Sequence, residues 1–308
     1  MRLSISSFSD KIALNRSGLG KTTSWFLITI LIYVVLVEIF RPKITFFQNQ
    51  ETSNLVGAER FLFNSNSYHS LIVGTSLSAR LPHSLLGPGV FNLSLQGGSP
   101  LTGLELIRRS HKYPARLLVE TNFLYYALDH TFVEYRLNTF SYFTKKYVRA
   151  LRHEYQPVNL VGNLYLRYFR RDPRFIREHG LENRARNLAL ANTIDHKDEF
   201  PTAPNFQNSI AIFQQLILEL ESHGIEIIFF EMPVHKLVAA GKRASIVRQS
   251  IYRAFAAKRY KYIDFSGLPD LKTTDGLHLD SRSAALVAKK INYYLESMDS
   301  SQLAETSQ

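Results

Sequence analysis

The sequence predicts an α/β protein: a three-layer α/β/α sandwich around a roughly five-stranded parallel sheet, preceded by one N-terminal transmembrane helix. Short runs of β-branched and aromatic residues alternate with helical stretches, as in parallel strands joined by crossover helices. The 308 residues are 45% hydrophobic and 20% charged, an ordinary globular balance that excludes wholesale disorder. The chain has no cysteine, which excludes a disulfide scaffold, a thiolate metal site and a cysteine nucleophile.

Residues 22–40 form the predicted membrane anchor. The segment is uncharged before Glu38, and a helix over it would be roughly 28 Å long, close to the ~30 Å hydrocarbon thickness. Trp25 and Phe40 lie near its two ends, where aromatic residues suit the membrane interfaces. The alternatives are a buried core helix and a cleaved signal peptide. The second lacks support because charged residues and a proline, rather than small residues, follow the apolar run.

The charges around this segment predict its orientation. Four basic residues and one acidic residue precede it, and the positive-inside rule then places residues 1–21 in the cytoplasm as a tail. We therefore expect a single-pass protein of the inner (cytoplasmic) membrane, with its main domain periplasmic or extracellular. The net charge of +11 favours an anionic partner. Nucleic acid is not expected, because the chain has no nucleic-acid motif and its basic cluster faces the wrong compartment.

Beyond a connector over 41–68, the main domain is predicted to cover 69–298, with a flexible tail over 299–308. The predicted strands are 70–73, 90–95, 116–120, 225–230 and 260–265. The predicted helices are 101–111, 209–223, 244–259 and 281–295.

Residues 125–206 interrupt this alternation and are predicted to be a helical insertion over the carboxyl edge of the sheet. Between 143 and 190 they hold 11 Lys and Arg residues against 4 Asp and Glu residues. Arg170, Arg171 and Arg174 are candidate substrate-binding residues. The alternative is a solvated surface, with contacts to lipid head groups near the anchor.

Polar and glycine residues lie at the carboxyl ends of three predicted strands and before the last helix, where active sites lie in open α/β sheets. A serine hydroxyl there needs a base, and an imidazole oriented by a carboxylate can serve as that base. Backbone amides and an amide side chain would supply oxyanion donors, each worth about 10²–10³ in rate. The chain shows no metal-ligand spacing and no phosphate-binding glycine motif, so neither a metal nor a cofactor is expected. The candidates are Ser76, Gly97 or Gly98, Asn122, Asp275 and His278.

The order of these residues resembles the SGNH (GDSL-like) hydrolase superfamily. That family has a Gly-x-Ser block after the first strand, then a Gly block, an Asn block and a C-terminal Asp-x-x-His. The resemblance covers roughly residues 70–295, with a gap over the insertion. It implies that Ser76 is the nucleophile, His278 the base and Asp275 its orienting carboxylate. It also implies that the oxyanion hole consists of Ser76, Gly97 and Asn122.

The chain departs from the family pattern at three positions. Thr75 stands where the first block often has an acidic residue. Glu120 and Phe123 flank Asn122 where that block more often reads Gly-x-Asn-Asp. These departures concern the Asn122 donor more than the pair formed by Ser76 and His278.

The overall build is similar to that of membrane-anchored members that add or remove acyl groups, usually acetyl, on extracellular polysaccharides or wall polymers. The implied partners are a carbohydrate polymer, an acyl donor and membrane proteins of acyl transfer or polymer export. The expected function is thus that of an exported serine-dependent O-acyltransferase or esterase. The alternative is a non-catalytic polymer-binding or assembly subunit on the same fold, using the arginine-rich insertion.

Overall fold

The computed structural model describes residues 6–42, 44, 49–64, 68–169, 203–256, 258 and 260–306. It confirms an α/β fold with a five-stranded parallel sheet. The strands are β1 (Ser70–Val73), β2 (Val90–Asn92), β3 (Arg116–Glu120), β4 (Glu226–Phe230) and β5 (Lys261–Ile263). The helices are α1 (Ser6–Phe40), α2 (Gln50–Phe63), α3 (Pro100–Ser110), α4 (His130–Leu137), α5 (Thr139–Tyr147), α6 (Pro157–Phe169), α7 (Ala203–Ser222), α8 (Lys236–Ala239), α9 (Lys242–Ala254) and α10 (Ser281–Thr306).

The strand order is β2-β1-β3-β4-β5. The chain passes from β1 outward to β2 and then returns through α3 to β3, on the other side of β1. The order therefore reverses between β1 and β3, and such a switch point opens a crevice at the carboxyl ends of the strands. The segments after β1 and β3 are thus placed side by side at this edge.

Alternate strand residues belong to two core clusters, because successive side chains of a strand point to opposite faces. Leu71 and Val73 pack in one cluster with residues of α2, α3, α7 and α9. Ile72 packs in the other with residues of α10. All four residues of β1 are buried, as expected for the strand that runs beneath the site.

Helix α1 contains the predicted anchor. Its segment Gly20–Phe40 is long and apolar enough to cross a membrane, and only 6% of its most apolar stretch is buried. The predicted connector over 41–68 is only partly a linker. It contains α2, which buries Ala58, Phe61 and Leu62 in the first core cluster because its apolar residues recur at helical spacing.

Helix α10 continues into the segment 299–308, which the sequence predicts as a flexible tail, and ends at Thr306. One residue beyond the predicted domain boundary, Asp299 accepts a hydrogen bond from the buried Arg116 of β3. Arg116 Nε also lies 3.1 Å from Glu226 Oε2 of β4. The final helix is therefore joined to the amino ends of two strands by ion pairs.

The predicted insertion is helical in its described part, which comprises α4, α5, α6 and two 3₁₀ turns at Arg149–Leu151 and His153–Tyr155. Its boundary differs from the prediction at the carboxyl side, since α7 begins at Ala203 rather than 209. Buried Glu59 of α2 joins it to the domain: Glu59 Oε1 lies 2.7 Å from Lys145 Nζ and 2.6 Å from His153 Nδ1. Burial acts to raise the pKa of Glu59, but His153 and Lys145 outweigh it and lower the pKa.

Candidate active site

The structure brings Ser76, His278 and Asp275 into one hydrogen-bonded chain. Ser76 Oγ lies 2.9 Å from His278 Nε2, although 202 positions separate the two residues. His278 Nδ1 lies 2.6 Å from Asp275 Oδ2. When Nδ1 carries the proton, Nε2 is free to accept the serine proton. The predicted hydroxyl, imidazole and carboxylate therefore stand in the order that nucleophilic activation requires.

A local turn holds the acid–base pair. Asp275 Oδ1 accepts hydrogen bonds from the backbone amides of Leu277 at 3.0 Å and His278 at 2.8 Å. The ends of the turn are joined where Thr273 and Leu279 form an isolated antiparallel bridge. Burial acts to raise the pKa of Asp275, but hydrogen bonds from His278 and Leu277 outweigh it and hold the pKa at about 2. Asp275 is therefore ionised at neutral pH, as a carboxylate that orients an imidazole has to be.

Glu120, at the end of β3, organises the turn that carries Ser76. Its Oε2 accepts hydrogen bonds from the amides of Thr75 at 2.9 Å and Ser78 at 3.1 Å. The hydroxyls of Thr75 and Ser78 donate to the same carboxyl group, at 2.6 and 2.5 Å. Burial raises the pKa of Glu120, which outweighs these four hydrogen bonds. One buried side chain thus fixes the residues on both sides of Ser76 and Leu77.

Gly74 makes room for this arrangement. A Cβ atom on Gly74 would lie 2.1 Å from Ser78 Oγ and 2.5 Å from Glu120 Oε2, well inside contact distance. The segment between β1 and β2, which the structure describes in full, contains two 3₁₀ turns, Ser78–Arg80 and His83–Leu85, and no α-helix. Because the first of these turns is short, side-chain contacts to Glu120 take over the positioning that a helix N-terminus would provide.

Gly97 and Gly98 lie in the loop after β2, next to β1 in the sheet. Gly97 is exposed and has a φ of +69°, a left-handed conformation that favours glycine. The amide of Gly98 donates to the Leu95 carbonyl at 3.1 Å. This bond commits the Gly98 amide within the loop and favours Gly97 as the donor to a ligand.

Asn122 has a partner at the end of the neighbouring strand. Its Nδ2 donates to the Met232 carbonyl at 2.9 Å, and the Met232 amide donates back to Oδ1 at 2.7 Å. This pairing uses the amide oxygen and one of the two Nδ2 hydrogens. Asn122 therefore links the chain after β3 to the chain after β4. Only its second Nδ2 hydrogen can be donated to an oxyanion.

A cavity of about 270 Å³ is connected to the hydrogen-bonded chain only through sequence neighbours and Asn122, because Ser76, Asp275 and His278 are not among its lining residues. Leu277, which immediately precedes His278, lines it together with Asn122. One wall is aromatic, with the rings of Phe123 and Tyr126 stacked at 5.5 Å between centroids. Further apolar and charged residues complete the lining: Val234, Val238, Val247, Glu231, Arg243 and Arg248.

Charged groups at this cavity are paired with neighbours. Arg248 Nε and Nη2 bind the two oxygens of Glu231 at 2.7 and 2.5 Å. Arg243 Nη1 donates to the Tyr125 hydroxyl at 3.1 Å, and its guanidinium lies 5.1 Å from the ring centroid of Tyr125. Burial raises the pKa of Tyr125, so its hydroxyl stays neutral at physiological pH. The cavity thus combines an apolar surface with fixed polar groups, as ligand pockets do.

Arg170, Arg171 and Arg174 fall outside the described residues. Within the described part of the chain, His, Asp and Glu side chains form no group of three or more that could hold a metal ion.

The sequence predicts Glu120 as the last residue of a strand and indicates no role for it at the site. The sequence pattern that could have indicated this role is an acidic residue directly after the apolar run Leu117 to Val119. Because the whole strand is buried, the carboxyl group of Glu120 has no access to water. Such a residue requires internal donors. The short hydroxyl side chains of Thr75 and Ser78, after the neighbouring strand, are suitable donors.

Comparison of the chain with known protein families, with curated proteins and with solved structures gave no match.

Proposed function

We propose that this protein is a serine-dependent O-acyl esterase or acyltransferase that works through an acyl-enzyme, on an SGNH-like three-layer α/β/α domain. The observation that carries the proposal is the continuous chain from Ser76 Oγ through the imidazole of His278 to the carboxylate of Asp275. Serine hydroxyls are poor nucleophiles without such a base. The resemblance noted in the sequence supports the same assignment.

The chemistry proceeds in two steps. Ser76 Oγ attacks the acyl carbonyl while His278 Nε2 takes its proton, and the ionised Asp275 stabilises the imidazolium. The bond to the leaving oxygen breaks, that oxygen receives the proton from His278, and an acyl-serine remains. Water or a sugar hydroxyl then attacks the acyl-serine with the same base, which gives hydrolysis or transfer respectively. The backbone amides of Ser76 and Gly97 and the free Nδ2 hydrogen of Asn122 are the proposed oxyanion donors.

The substrate proposed for this site is an acylated extracellular polysaccharide or wall polymer, with acetyl as the usual acyl group. The aromatic wall formed by Phe123 and Tyr126 supports a carbohydrate ligand, because sugar rings present apolar faces to aromatic side chains. The fixed Glu231–Arg248 pair offers polar groups for hydroxyls at the same cavity. No cofactor is invoked, since the proposed steps need only these side chains.

The proposed location is the inner (cytoplasmic) membrane, with residues 1–21 in the cytoplasm and the active site in the periplasm or outside the cell. The apolar segment Gly20–Phe40 supports single-pass anchoring. The location also supports membrane proteins of acyl transfer or polymer export as partners, because an acyl group from the cytoplasm must cross the membrane to reach this site.

The proposal is tested with the full chain in detergent micelles. Release of acetate from an aryl ester and labelling by a fluorophosphonate probe are measured for the native protein, Ser76→Ala and His278→Ala. We expect either substitution to lower turnover by about 10⁴–10⁶-fold, and Ser76→Ala to abolish labelling. The matched controls Ser222→Ala and His130→Ala alter an exposed serine and an exposed histidine and should leave both readouts unchanged.

Native activity in both Ser76→Ala and His278→Ala would overturn the proposed function and favour a non-catalytic polymer-binding subunit. Circular dichroism of each variant checks that the fold persists. Measuring acetyl transfer to a polysaccharide alongside acetate release then distinguishes transfer from hydrolysis.

A further inference from the structure

The last two turns of α1 pack against the insertion. Within the apolar segment Gly20–Phe40, Leu31 is 63% exposed, whereas Val37 is 3% exposed. Val37 is buried because Ala150 and Tyr155 pack against it. The two 3₁₀ turns of the insertion are therefore seated on the end of the segment that is apolar enough to cross a membrane.

Polar contacts fix the same junction. The Tyr33 hydroxyl donates to the Tyr155 carbonyl. Glu38 Oε1 accepts from the Arg149 amide at 3.2 Å, and Glu38 Oε2 lies 3.6 Å from Arg149 Nε. At 1.5 Å per residue, Tyr33 lies about 10 Å before Phe40 along the helix axis. If Gly20–Phe40 spans the bilayer, residues 149–155 lie at the depth of its last turns rather than above them.

The helices on either side of these turns expose apolar faces. On α5, Phe140, Phe143 and Tyr147 recur at helical spacing and are 80%, 51% and 71% exposed. On α6, five apolar or aromatic residues within one 120° stripe are between 53% and 69% exposed; they are Val158, Val161, Leu164, Tyr165 and Tyr168. Exposed apolar surface of this extent on a soluble face is unusual and marks an interaction site.

We propose that these exposed faces of α5 and α6, here called the apolar platform, lie in the interfacial layer of the membrane leaflet from which α1 emerges. The proposal rests on the membrane anchoring proposed above, and it is independent of the chemistry at Ser76. The occupant is lipid rather than protein because the chain between α5 and α6 packs against the anchor at Val37 and Glu38, which places both helices beside it. Its three tyrosines and the exposed Lys146, 5.8 Å from the ring centroid of Tyr147, are of the kind that prefer the head-group layer.

The platform is joined firmly to the domain. Lys145 of α5 binds the buried Glu59 at 2.7 Å, and Arg60 binds Glu154 with nitrogens at 2.5 and 3.1 Å from its two oxygens. Both acceptor–donor pairs connect the insertion to α2, which packs in the domain core. Seating the platform in lipid therefore orients the whole domain relative to the membrane.

The test uses the absence of cysteine from the chain. Single-cysteine variants of the full chain are labelled with an environment-sensitive fluorophore and reconstituted into phospholipid vesicles that hold no other protein. Quenching by doxyl-labelled lipid and by aqueous iodide is then measured. The platform positions are Phe143→Cys, Val161→Cys and Tyr165→Cys. Matched exposed tyrosines on other helices, Tyr252→Cys and Tyr293→Cys, are the aqueous controls, and Leu31→Cys reports on insertion of α1.

We expect labels on the platform to be quenched by lipid several-fold more strongly than the aqueous controls, and by iodide several-fold more weakly. Iodide quenching equal to that of Tyr252→Cys and Tyr293→Cys would overturn the proposal. Protection from both quenchers would also overturn it, because it would show that protein rather than lipid covers these faces. If lipid quenches the label at Leu31→Cys but not the labels on the platform, the platform proposal is refuted and the anchor is supported. If lipid does not quench the label at Leu31→Cys, the proposed anchoring is itself refuted. Aryl-ester turnover of each variant reports separately on the proposed enzyme.

Discussion

Gly74 lies directly against Glu120: a Cβ atom on the glycine would be 2.5 Å from Glu120 Oε2 and 2.7 Å from Glu120 Cβ. The carboxyl group therefore fills the space that any other residue at position 74 would occupy. Because Glu120 also holds Thr75 and Ser78, this contact couples the size of residue 74 to the position of the Ser76 hydroxyl.

The first prediction concerns this contact. Gly74→Ala should destabilise the protein by about 1–3 kcal/mol, since the added methyl group overpacks a closed site. It should also lower aryl-ester turnover by displacing the Ser76 turn. Thermal unfolding and turnover of the full chain in detergent measure both effects. Gly57→Ala is the control: a Cβ there meets no atom within 4 Å, and alanine in α2 should stabilise slightly. Equal behaviour of the two variants would contradict the argument.

The second prediction concerns Glu120 as a positioning residue. Glu120→Gln keeps the volume but replaces one acceptor oxygen by a donor facing hydroxyl and amide donors. We expect kcat to fall by about 10²-fold, as displacements of ~1 Å do, with KM little changed. Glu105→Gln is the control, because Glu105 is also buried but pairs with Arg108 away from the proposed site. The prediction fails if both variants keep the native kcat.

The third prediction concerns the pH dependence of Asp275→Asn. The pKa of Asp275 is lowered from 3.8 to about 2, so its ionisation stabilises the folded state above pH 3.8. That stabilisation is lost as the pH falls toward 2. The variant should therefore be less stable than the native protein at neutral pH, and the difference should shrink as the pH falls from about 4 toward 2. Thermal unfolding across this range measures it, and a constant difference would contradict it.

The same substitution should lower turnover by about 10⁴-fold at neutral pH, because asparagine favours the wrong imidazole tautomer. In the native protein, no step of the pH–rate profile above pH 4 should belong to Asp275. The exposed residue Asp129, which caps α4, provides the control variant Asp129→Asn.

The fourth prediction concerns the buried Glu59. Glu59→Gln leaves Lys145 and Arg136 without their carboxylate and should destabilise the protein by about 3–5 kcal/mol. Because the pKa of Glu59 is lowered, its stabilisation is present above pH 4.5 and is lost as the pH falls through the folded-state pKa. Thermal unfolding at neutral and acidic pH tests both statements. Glu134→Gln, at an exposed position of α4, should leave the midpoint unchanged.

The sheet was predictable because each strand is a short apolar run bounded by turn residues. β1 and β3 match the predicted ranges 70–73 and 116–120. The strand predicted over 90–95 ends at Asn92. Beyond it, the amides of Leu93 and Leu95 still donate hydrogen bonds to the carbonyls of Ile72 and Gly74. The strand predicted over 260–265 ends at Ile263, where the Asp264 carboxylate accepts from the Ser266 amide and turns the chain.

The site was predictable only in its local parts. Asp275 and His278 are three positions apart, so one turn brings them together and the sequence pattern shows it. The roles of Glu120 and Gly74 were missed because their contacts join β1 to β3 across the sheet, and no local pattern records them. Asn122 was predicted as a donor, but its pairing with Met232 depends on the ends of β3 and β4 being neighbours.

The bridge between Thr273 and Leu279 closes the turn that carries Asp275 and His278. These two side chains are therefore held together by local structure alone. Only one distant partner, the Ser76 turn, has to be brought to them. If Ser76 and His278 act as proposed, partial denaturation that separates the two turns should abolish activity before the Asp275–His278 pair itself separates. Loss of activity would then report on the contact between the two turns.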